Sequence, residues 1–399
     1  MEKNLLQQEL ERIRRHHEVA DLIDTNFHRN GYRFPAEPIG EAMTRYLLSR
    51  SYDPDPRGAA EARRSICGYY ARAGVAVSPE RILLTASSSE SYSLLFNNLA
   101  APGDNILLPR PTYPLFEYLA GFSHVEVRYY DLDPSKDFKI DANSMLREID
   151  SRTRFIVLIS PNNPTGRIAG PKEIETVIEI AASRGIAVIC DEVFSEFLYD
   201  GASLTRPMKI SSDRKSDLLL FTLNGISKMF ASPDLKLSWI VVGGPEREAS
   251  AAVETLEVAN DMFLNCNSFS QFLLPVLFDS GDEFRNHMVT GIDRGRRALL
   301  ERLTPPQFRL STPNGGIHAT VELCGLPAGY DDERFAVELL RNRHVYVHPG
   351  YLYGIEKGTF IVVSFLREYR SLVPGLDGVA SFMQELSRSA SPSRSGGAQ

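Results

Sequence analysis

No stretch of this 399-residue chain stays apolar for the roughly 18 residues that a bilayer crossing needs. Its first residues, MEKNLLQQELERIRRHH, are charged throughout and lack the apolar segment of a secretory signal. A reducing cytoplasm is therefore the expected setting. Cysteine is scarce. Cys67, Cys190, Cys266 and Cys324 are the four, and no two are spaced for a zinc site or a disulfide framework. They read as small buried hydrophobes. An excess of positive charge is missing too: 44 Lys and Arg stand against 51 Asp and Glu, a net charge of −7, which argues against a general nucleic-acid binder. A local basic pocket for an anionic ligand stays open, because net charge carries no local information. His16, His17, His28, His124, His287 and His344 show no ligand spacing.

What is present suits a packed protein. Hydrophobic residues make up 43% and charged residues 24%, and the length suits two domains. An opening helix carries Leu5, Leu6, Leu10 and Ile13 on one face, as a lid or a partner-binding arm. Seven apolar runs then alternate with helical patterns. They lie near Arg81–Thr85, Asn105–Leu108, Val125–Tyr129, Arg154–Ile159, Ile186–Cys190, Leu218–Thr222 and Ser238–Val242. Continuous apolar runs separated by helices describe buried parallel strands of an α/β sheet. The last third differs. A long helix from about Glu283 to Leu303 precedes strands near Ile317–Leu323, Val345–His348 and Phe360–Phe365, and a final helix spans about Leu372–Leu386. A smaller α+β domain is expected there. The expected division is residues 1–50 as an N-terminal arm with part of the small domain, 51–282 as the large domain, 283–386 as the small domain and 387–399 as a disordered tail.

Ligands of open α/β sheets sit at strand ends, and chemistry-bearing residues cluster at several of them. Thr85-Ala86-Ser87-Ser88-Ser89-Glu90 offers hydroxyls and backbone N–H groups at a helix start, an anion site; a Ser-rich helix cap is the simpler reading in isolation. In Pro111-Thr112-Tyr113-Pro114 the prolines fix a turn that presents Tyr113 as a flat face, or as an ordinary buried tyrosine. Ser160-Pro161-Asn162-Asn163-Pro164-Thr165-Gly166 is a rigid loop rich in amide donors, or a plain turn. In Ile189-Cys190-Asp191-Glu192 a strand-end carboxylate needs a cationic partner, or caps the next helix. Lys228, in Asn224-Gly225-Ile226-Ser227-Lys228-Met229-Phe230, is an amine in an apolar setting. Burial makes such an amine nucleophilic; a lone lysine otherwise reaches for solvent.

Taken in order, YDPDPRG, LLTASSSESYS, PTYP, SPNNPTG, CDEVF, SK and a cation eight positions after the lysine resemble the class I/II (aspartate-aminotransferase-like) family of pyridoxal-phosphate (PLP) enzymes, fold type I. The resemblance runs from about Asp21 to Leu386. It implies a large domain with a mostly parallel seven-stranded sheet between helices, plus a smaller α+β domain. It implies pyridoxal 5'-phosphate as cofactor, with Lys228 forming a Schiff base to it and shuttling the substrate's α-proton. Asp191 would pair with the pyridinium nitrogen, Asn163 would donate to the phenolic oxygen and Tyr113 would stack on the ring. Ser88, Ser89, Ser227 and Lys236 would contact the phosphate. Tyr52 would reach the phosphate of a neighbouring subunit, which implies a homodimer.

Three departures from the family pattern stand out. Phe194 replaces a tyrosine that bonds the phenolic oxygen. Lys236 replaces an arginine, keeping the charge and losing the bidentate fork, with Asp234 and Ser238 in place of flanking glycines. Val362 occupies the position of the arginine that binds the substrate α-carboxylate. Arg29, Arg33 and Arg367 are candidate substitutes by position, each otherwise a solvated surface residue. His318, Tyr351 and Tyr353 fall where relatives shape the substrate pocket; His318 reads as a pocket donor or, more simply, as a core-edge histidine, and His348 precedes a Pro-Gly turn as a structural residue. The expected function is amino-group transfer between an amino donor and a keto acid or aldehyde. The alternative is another PLP reaction on the same scaffold: lyase, decarboxylase, oxidase or carbon–carbon bond-forming synthase.

Overall fold

A computed structural model describes residues 4–264 and 266–390. Fourteen strands are found among the described residues. Chain order gives β1 (Ala20–Asp21), β2 (Ile82–Thr85), β3 (Asn105–Arg110), β4 (Glu126–Asp133), β5 (Lys139–Ile140), β6 (Thr153–Ile159) and β7 (Ala187–Asp191). Then follow β8 (Leu220–Gly225), β9 (Ser238–Gly243), β10 (Phe308–Leu310), β11 (His318–Leu323), β12 (Val345–Tyr346), β13 (His348–Pro349) and β14 (Phe360–Ser364).

The large sheet has the order β2-β9-β8-β7-β6-β3-β4-β5. It has eight strands rather than the expected seven, because the two-residue β5 folds back antiparallel on the end of β4. Such a short edge strand leaves no apolar run to read. The remaining seven match the seven apolar runs. β9 lies antiparallel between β2 and β8; β3, β4, β6, β7 and β8 run parallel. Both faces are covered, so strand residues alternate between two cores rather than between core and water. In β6, Phe155, Val157 and Ile159 join one cluster, while Ile156 and Leu158 join the other.

Helices cover these faces by burying stripes at helical spacing. Helix Pro171–Ala182 places Pro171 in its first turn, where a missing N–H costs nothing. The Glu173 carboxylate accepts from the Gly170 N–H at 3.0 Å. Ile174, Val177, Ile178 and Ala181 form its buried stripe.

The second sheet is antiparallel, in the order β10-β11-β14-β13, and β1 pairs in parallel with β12. The expected continuous strand Val345–His348 is broken in two, with Tyr346 and His348 paired to different strands. The helices Asp282–Arg302, Asp332–Arg343 and Tyr369–Ala390 belong to this part of the chain. The last takes in the first four residues, 387–390, of the expected loose tail; positions 391–399, also assigned to that tail, lie outside the described residues.

The N-terminal helix is Leu5–Arg14, capped by Asn4, whose side chain accepts from the Gln7 N–H. It buries Leu6, Leu10 and Ile13, at i, i+4 and i+7, while Leu5 stays 48% exposed. The four-leucine-type face expected from sequence is thus one residue too wide. Leu6, Leu10 and Ile13 join the core of the smaller sheet, and Glu9 pairs with Arg341 at 2.8 Å. The helix is docked on that core. Helix Ala36–Ser49 packs toward helix Ser268–Ser280, with Tyr46 and Phe269 rings 5.5 Å apart. Residues before 50 therefore also touch elements of the large sheet. No helix among the described residues is long and apolar enough to cross a membrane.

Candidate active site

Strand direction brings the expected site residues to one edge. The C-terminal ends of β2, β3, β6, β7 and β8 lie on the same side of the sheet, because β2 and β8 each run antiparallel to β9. Ile159, the last residue of β6, lies opposite Asp191, the last of β7, so the loop starting at Ser160 leaves the sheet beside that carboxylate. The Ser160 N–H donates to the Asp191 carbonyl at 3.1 Å. From the end of β8 the chain enters the short helix Ile226–Met229, which carries Ser227 and Lys228. Gly225 is required there by close approach: a Cβ would run into Ser238 Oγ across the β8/β9 pair. Lys236 precedes β9, whose antiparallel start faces the same edge.

Lys228 is partly buried, and burial alone holds its ammonium below the ordinary lysine value. Among the described residues it has no carboxylate partner. Its Nζ lies 5.5 Å from the centre of the Phe27 ring. Asp191 is 7% exposed. Its Oδ2 accepts from the Tyr92 hydroxyl at 2.9 Å and its Oδ1 from the Val193 N–H at 3.0 Å. Burial outweighs both donors and raises its pKa. Asn163 keeps a buried Oδ1 with no hydrogen-bond partner, as does the Thr222 hydroxyl of β8. Asn162 instead serves its own loop, with Oδ1 accepting from the Thr165 hydroxyl at 2.8 Å. Gly166, at φ +68°, needs its missing side chain, since a Cβ would meet Pro313 and the His318 carbonyl. That contact ties the loop to β11.

Helix Ser88–Leu99 begins at the end of β2. Ser87 is its cap, its hydroxyl accepting from the Glu90 N–H at 3.1 Å, and the Glu90 carboxylate accepts from the Ala86 N–H. The hydroxyls of Ser88 and Ser89 in the first turn make no hydrogen bond among the described residues. Ser87 is therefore the helix cap. Lys236 is exposed, at φ +51°. Nearby, His28 Nε2 is 2.7 Å from the Ala231 carbonyl and 3.8 Å from Asp234. Tyr113 is 45% exposed beside Tyr353. Tyr52 is 75% exposed and lines a surface groove of about 450 Å³ with Arg45, Tyr46, Cys266 and Gln271; it is not brought to Lys228 within this chain.

The sequence profile of the family described as aminotransferase class I and II matches residues 36–367. The chain is 30% identical over 360 residues to nicotianamine aminotransferase 1 of Oryza sativa subsp. japonica, covering 86% of this chain and 70% of that protein. It is 33% identical over 236 residues to S-alkyl-thiohydroximate lyase SUR1 of Arabidopsis thaliana, covering 58% of this chain and half of that protein's length. The alanine aminotransferase from Pyrococcus furiosus superposes with a TM-score of 0.87 at 26% identity, over 96% of this chain and 95% of that one.

The chain belongs to the class I and II aminotransferases. It is a PLP-dependent transferase. The residues at the sheet edge fit that cofactor. An amine without a carboxylate partner, a buried carboxylate lacking a cation and two serine hydroxyls without a partner at a helix start each suit one part of it.

Where an aminotransferase holds a carboxylate-binding arginine, Val362 is fully buried in β14, opposite Thr320 of β11 and His348 of β13. The candidate replacements are engaged elsewhere or exposed. Arg29 pairs with Asp24 at 3.2 Å, Arg367 donates to the Asp21 carbonyl at 2.8 Å, and Arg33 is exposed. Phe194 is buried, edge-on to the His318 ring at 6.4 Å. Tyr351 donates to Glu333 at 3.1 Å, while Tyr353 meets His348 Nδ1 at 3.1 Å. Sequence reading missed Tyr92 and Phe27. Tyr92 lies four residues after Ser88 on one helix, a spacing that shares a face. Phe27 carried no local signal.

Proposed function

We propose that Lys228 is the amine that anchors PLP and moves the substrate's α-proton in a transamination. The single observation that carries the reading is the unpaired Lys228 ammonium at the sheet edge shared with Asp191. PLP supplies an aldehyde carbon that carries the amino group and a ring that withdraws electrons from the bond being broken. Because burial lowers its proton affinity, Lys228 Nζ accepts and returns a proton near neutral pH more readily than a solvated lysine. Asp191 holds a proton on the ring nitrogen. Asn163 donates to the phenolic oxygen, and Tyr113 covers one ring face. Ser88, Ser89, Ser227 and Lys236 receive the phosphate, with N–H groups of the helix start adding their dipoles.

The same reading makes the protein a cytoplasmic homodimer, with Tyr52 completing the neighbouring phosphate site. Exposed apolar side chains support self-association: Leu48, Tyr52, Met262 and Phe263 are each at least two-thirds exposed. The free state of all four cysteines is compatible with a reducing compartment. The large and small sheets are read as two domains, meeting at the substrate.

A lyase-type reaction is the second reading. It is favoured by the likeness to a plant lyase and by the valine at position 362.

The test is spectroscopic. Protein loaded with PLP shows a visible band that amino donors convert and a keto acid restores. Lys228→Ala abolishes that cycle while the circular-dichroism spectrum is kept. An unchanged cycle in Lys228→Ala overturns the lysine assignment. Release of ammonia without keto-acid-dependent recovery favours the lyase reading.

A further inference from the structure

Paired residues of adjacent strands share a face, and alternate residues of one strand do as well. His318 and Thr320 of β11, Val362 and Ser364 of β14 and His348 of β13 therefore form one face. The opposite face, with Ala319, Val321, Ile361 and Val363, fills the core of the smaller sheet. Val362 joins neither that core nor the large-sheet clusters.

His318 is distinctive on this face. It is 6% exposed, and its ring has no hydrogen-bond partner among the described residues. Burial, then the Lys228 ammonium, then His348 hold it at about 3, and no arginine contributes. A run of rings links the imidazole to Lys228: His318 to Phe194 at 6.4 Å, Phe194 to Phe197 at 6.1 Å, Phe197 to Phe27 at 6.1 Å, and the Phe27 ring to Lys228 Nζ at 5.5 Å. His348 differs. Both its nitrogens are engaged, by the hydroxyls of Tyr353 and Tyr346 at 3.1 Å each. The Thr320 hydroxyl is a further buried group without a partner.

We propose that His318 is the substrate-recognising residue of this wall, and that it selects amines whose neighbouring group is an uncharged hydroxyl or amide rather than a carboxylate. The inference rests on Lys228 being the reacting amine. A dehydrated carboxylate needs a fixed positive charge beside it. Arg29 and Arg367 are held by Asp24 and the Asp21 carbonyl, Arg33 is exposed to solvent, and Val362 supplies no charge. A neutral imidazole presents one donor and one acceptor. A hydroxyl or amide satisfies both roles, whereas a carboxylate offers only acceptors and meets the ring's lone pair. Protonating the ring removes that mismatch, but burial opposes it. Phe194, edge-on to the imidazole, and Phe27, beside Lys228, give the surroundings of both groups an apolar character.

The probes are L-alanine, L-alaninamide and L-alaninol, titrated into PLP-loaded protein with dissociation constants read by calorimetry. The amide and the alcohol are expected to bind at least tenfold more tightly than alanine. His318→Phe erases the difference, and His318→Asn, which keeps a donor and an acceptor, restores part of it. Val362→Arg reverses the order in favour of alanine, so the inference stays open to refutation even where His318→Phe folds poorly. A loaded wild-type protein that prefers alanine, or a His318→Phe variant that keeps the full preference, overturns this inference alone. Protein that acquires no cofactor band overturns the reading of Lys228 and this inference together.

Discussion

The edge of the large sheet and the His318 face of the smaller one carry opposite kinds of polar group. At the sheet edge, burial holds a charge-bearing pair, Lys228 and Asp191, without opposite charges to compensate them. On the wall formed by β11, β13 and β14, His318 and His348 are held neutral, at about 3 and about 4. On the proposed reading, the first side is costly until a ligand supplies what is missing: a ring cation for Asp191 and a carbonyl for Lys228. The second offers no charge and asks for none. If both proposals hold, a cofactor of fixed chemistry is met by groups under electrostatic tension, and a substrate by groups that discriminate through hydrogen-bond direction. Buried charge without a partner marks a functional edge more sharply than any single motif does.

The comparison breaks most directly at Asp191. In Asp191→Asn the side chain keeps its size, and an amide oxygen still accepts from Tyr92 or Val193. The charge proposed to face the ring nitrogen is lost. Turnover of loaded protein is expected to fall on the order of a hundredfold or more, the scale of removing a preorganised electrostatic partner, and cofactor affinity to fall with it. Stopped-flow rates and a cofactor titration measure both. A variant with wild-type turnover shows that the buried carboxylate is structural, and the contrast between the two sides dissolves.

Much of the sheet edge was legible because each contribution comes from one contiguous segment. A strand end followed by Ser160–Gly166, or by Ile226–Phe230, delivers its residue wherever the strand goes, so Asn163, Asp191 and Lys228 were named without knowing the pairings. The wall resisted for the opposite reason. Its face exists only through the register of Thr320 and His348 against Val362, and those residues are far apart in sequence. His348 read as a turn residue because its two tyrosine partners are set by the break between β12 and β13. Leu5 was assigned to the buried helix face because four apolar residues in nine fit more than one stripe, and packing against the smaller core chose the i, i+4, i+7 set. β5 was invisible because two residues make no period.

A finer test concerns Tyr92, which sequence reading did not single out. Its hydroxyl donates to Asp191 Oδ2, a bond that favours the ionised carboxylate. Tyr92→Phe leaves that oxygen without its donor, a loss of about 1–3 kcal/mol for a buried charged acceptor. Cofactor affinity is expected to drop about tenfold or somewhat more, well short of the Asp191→Asn effect. Equal losses in the two variants reveal that Tyr92 does more than orient the carboxylate.

The smallest effect is read in acid, and its sign separates the two sides. His318 and His348 have folded pKa values below the usual 6.5. Above pH 6.5 the rings are neutral in folded and unfolded chains alike and cost nothing. As pH falls below 6.5 the unfolded chain binds protons that the folded wall refuses. Stability is therefore lost until about pH 4 for His348 and about pH 3 for His318, at roughly 1.4 kcal/mol per pH unit for each ring. Asp191 acts in the other direction. Its folded pKa lies above 3.8, so its burial penalty is relieved as pH falls through that raised value. Urea midpoints of cofactor-free protein between pH 7 and 4.5 are expected to decline, and the decline to be shallower in His318→Phe, whatever that substitution does to the midpoint at pH 7. A parallel decline in the variant means that the ring is protonated as easily in the folded chain as in the unfolded one, which removes the neutral donor and acceptor on which the wall's selectivity depends.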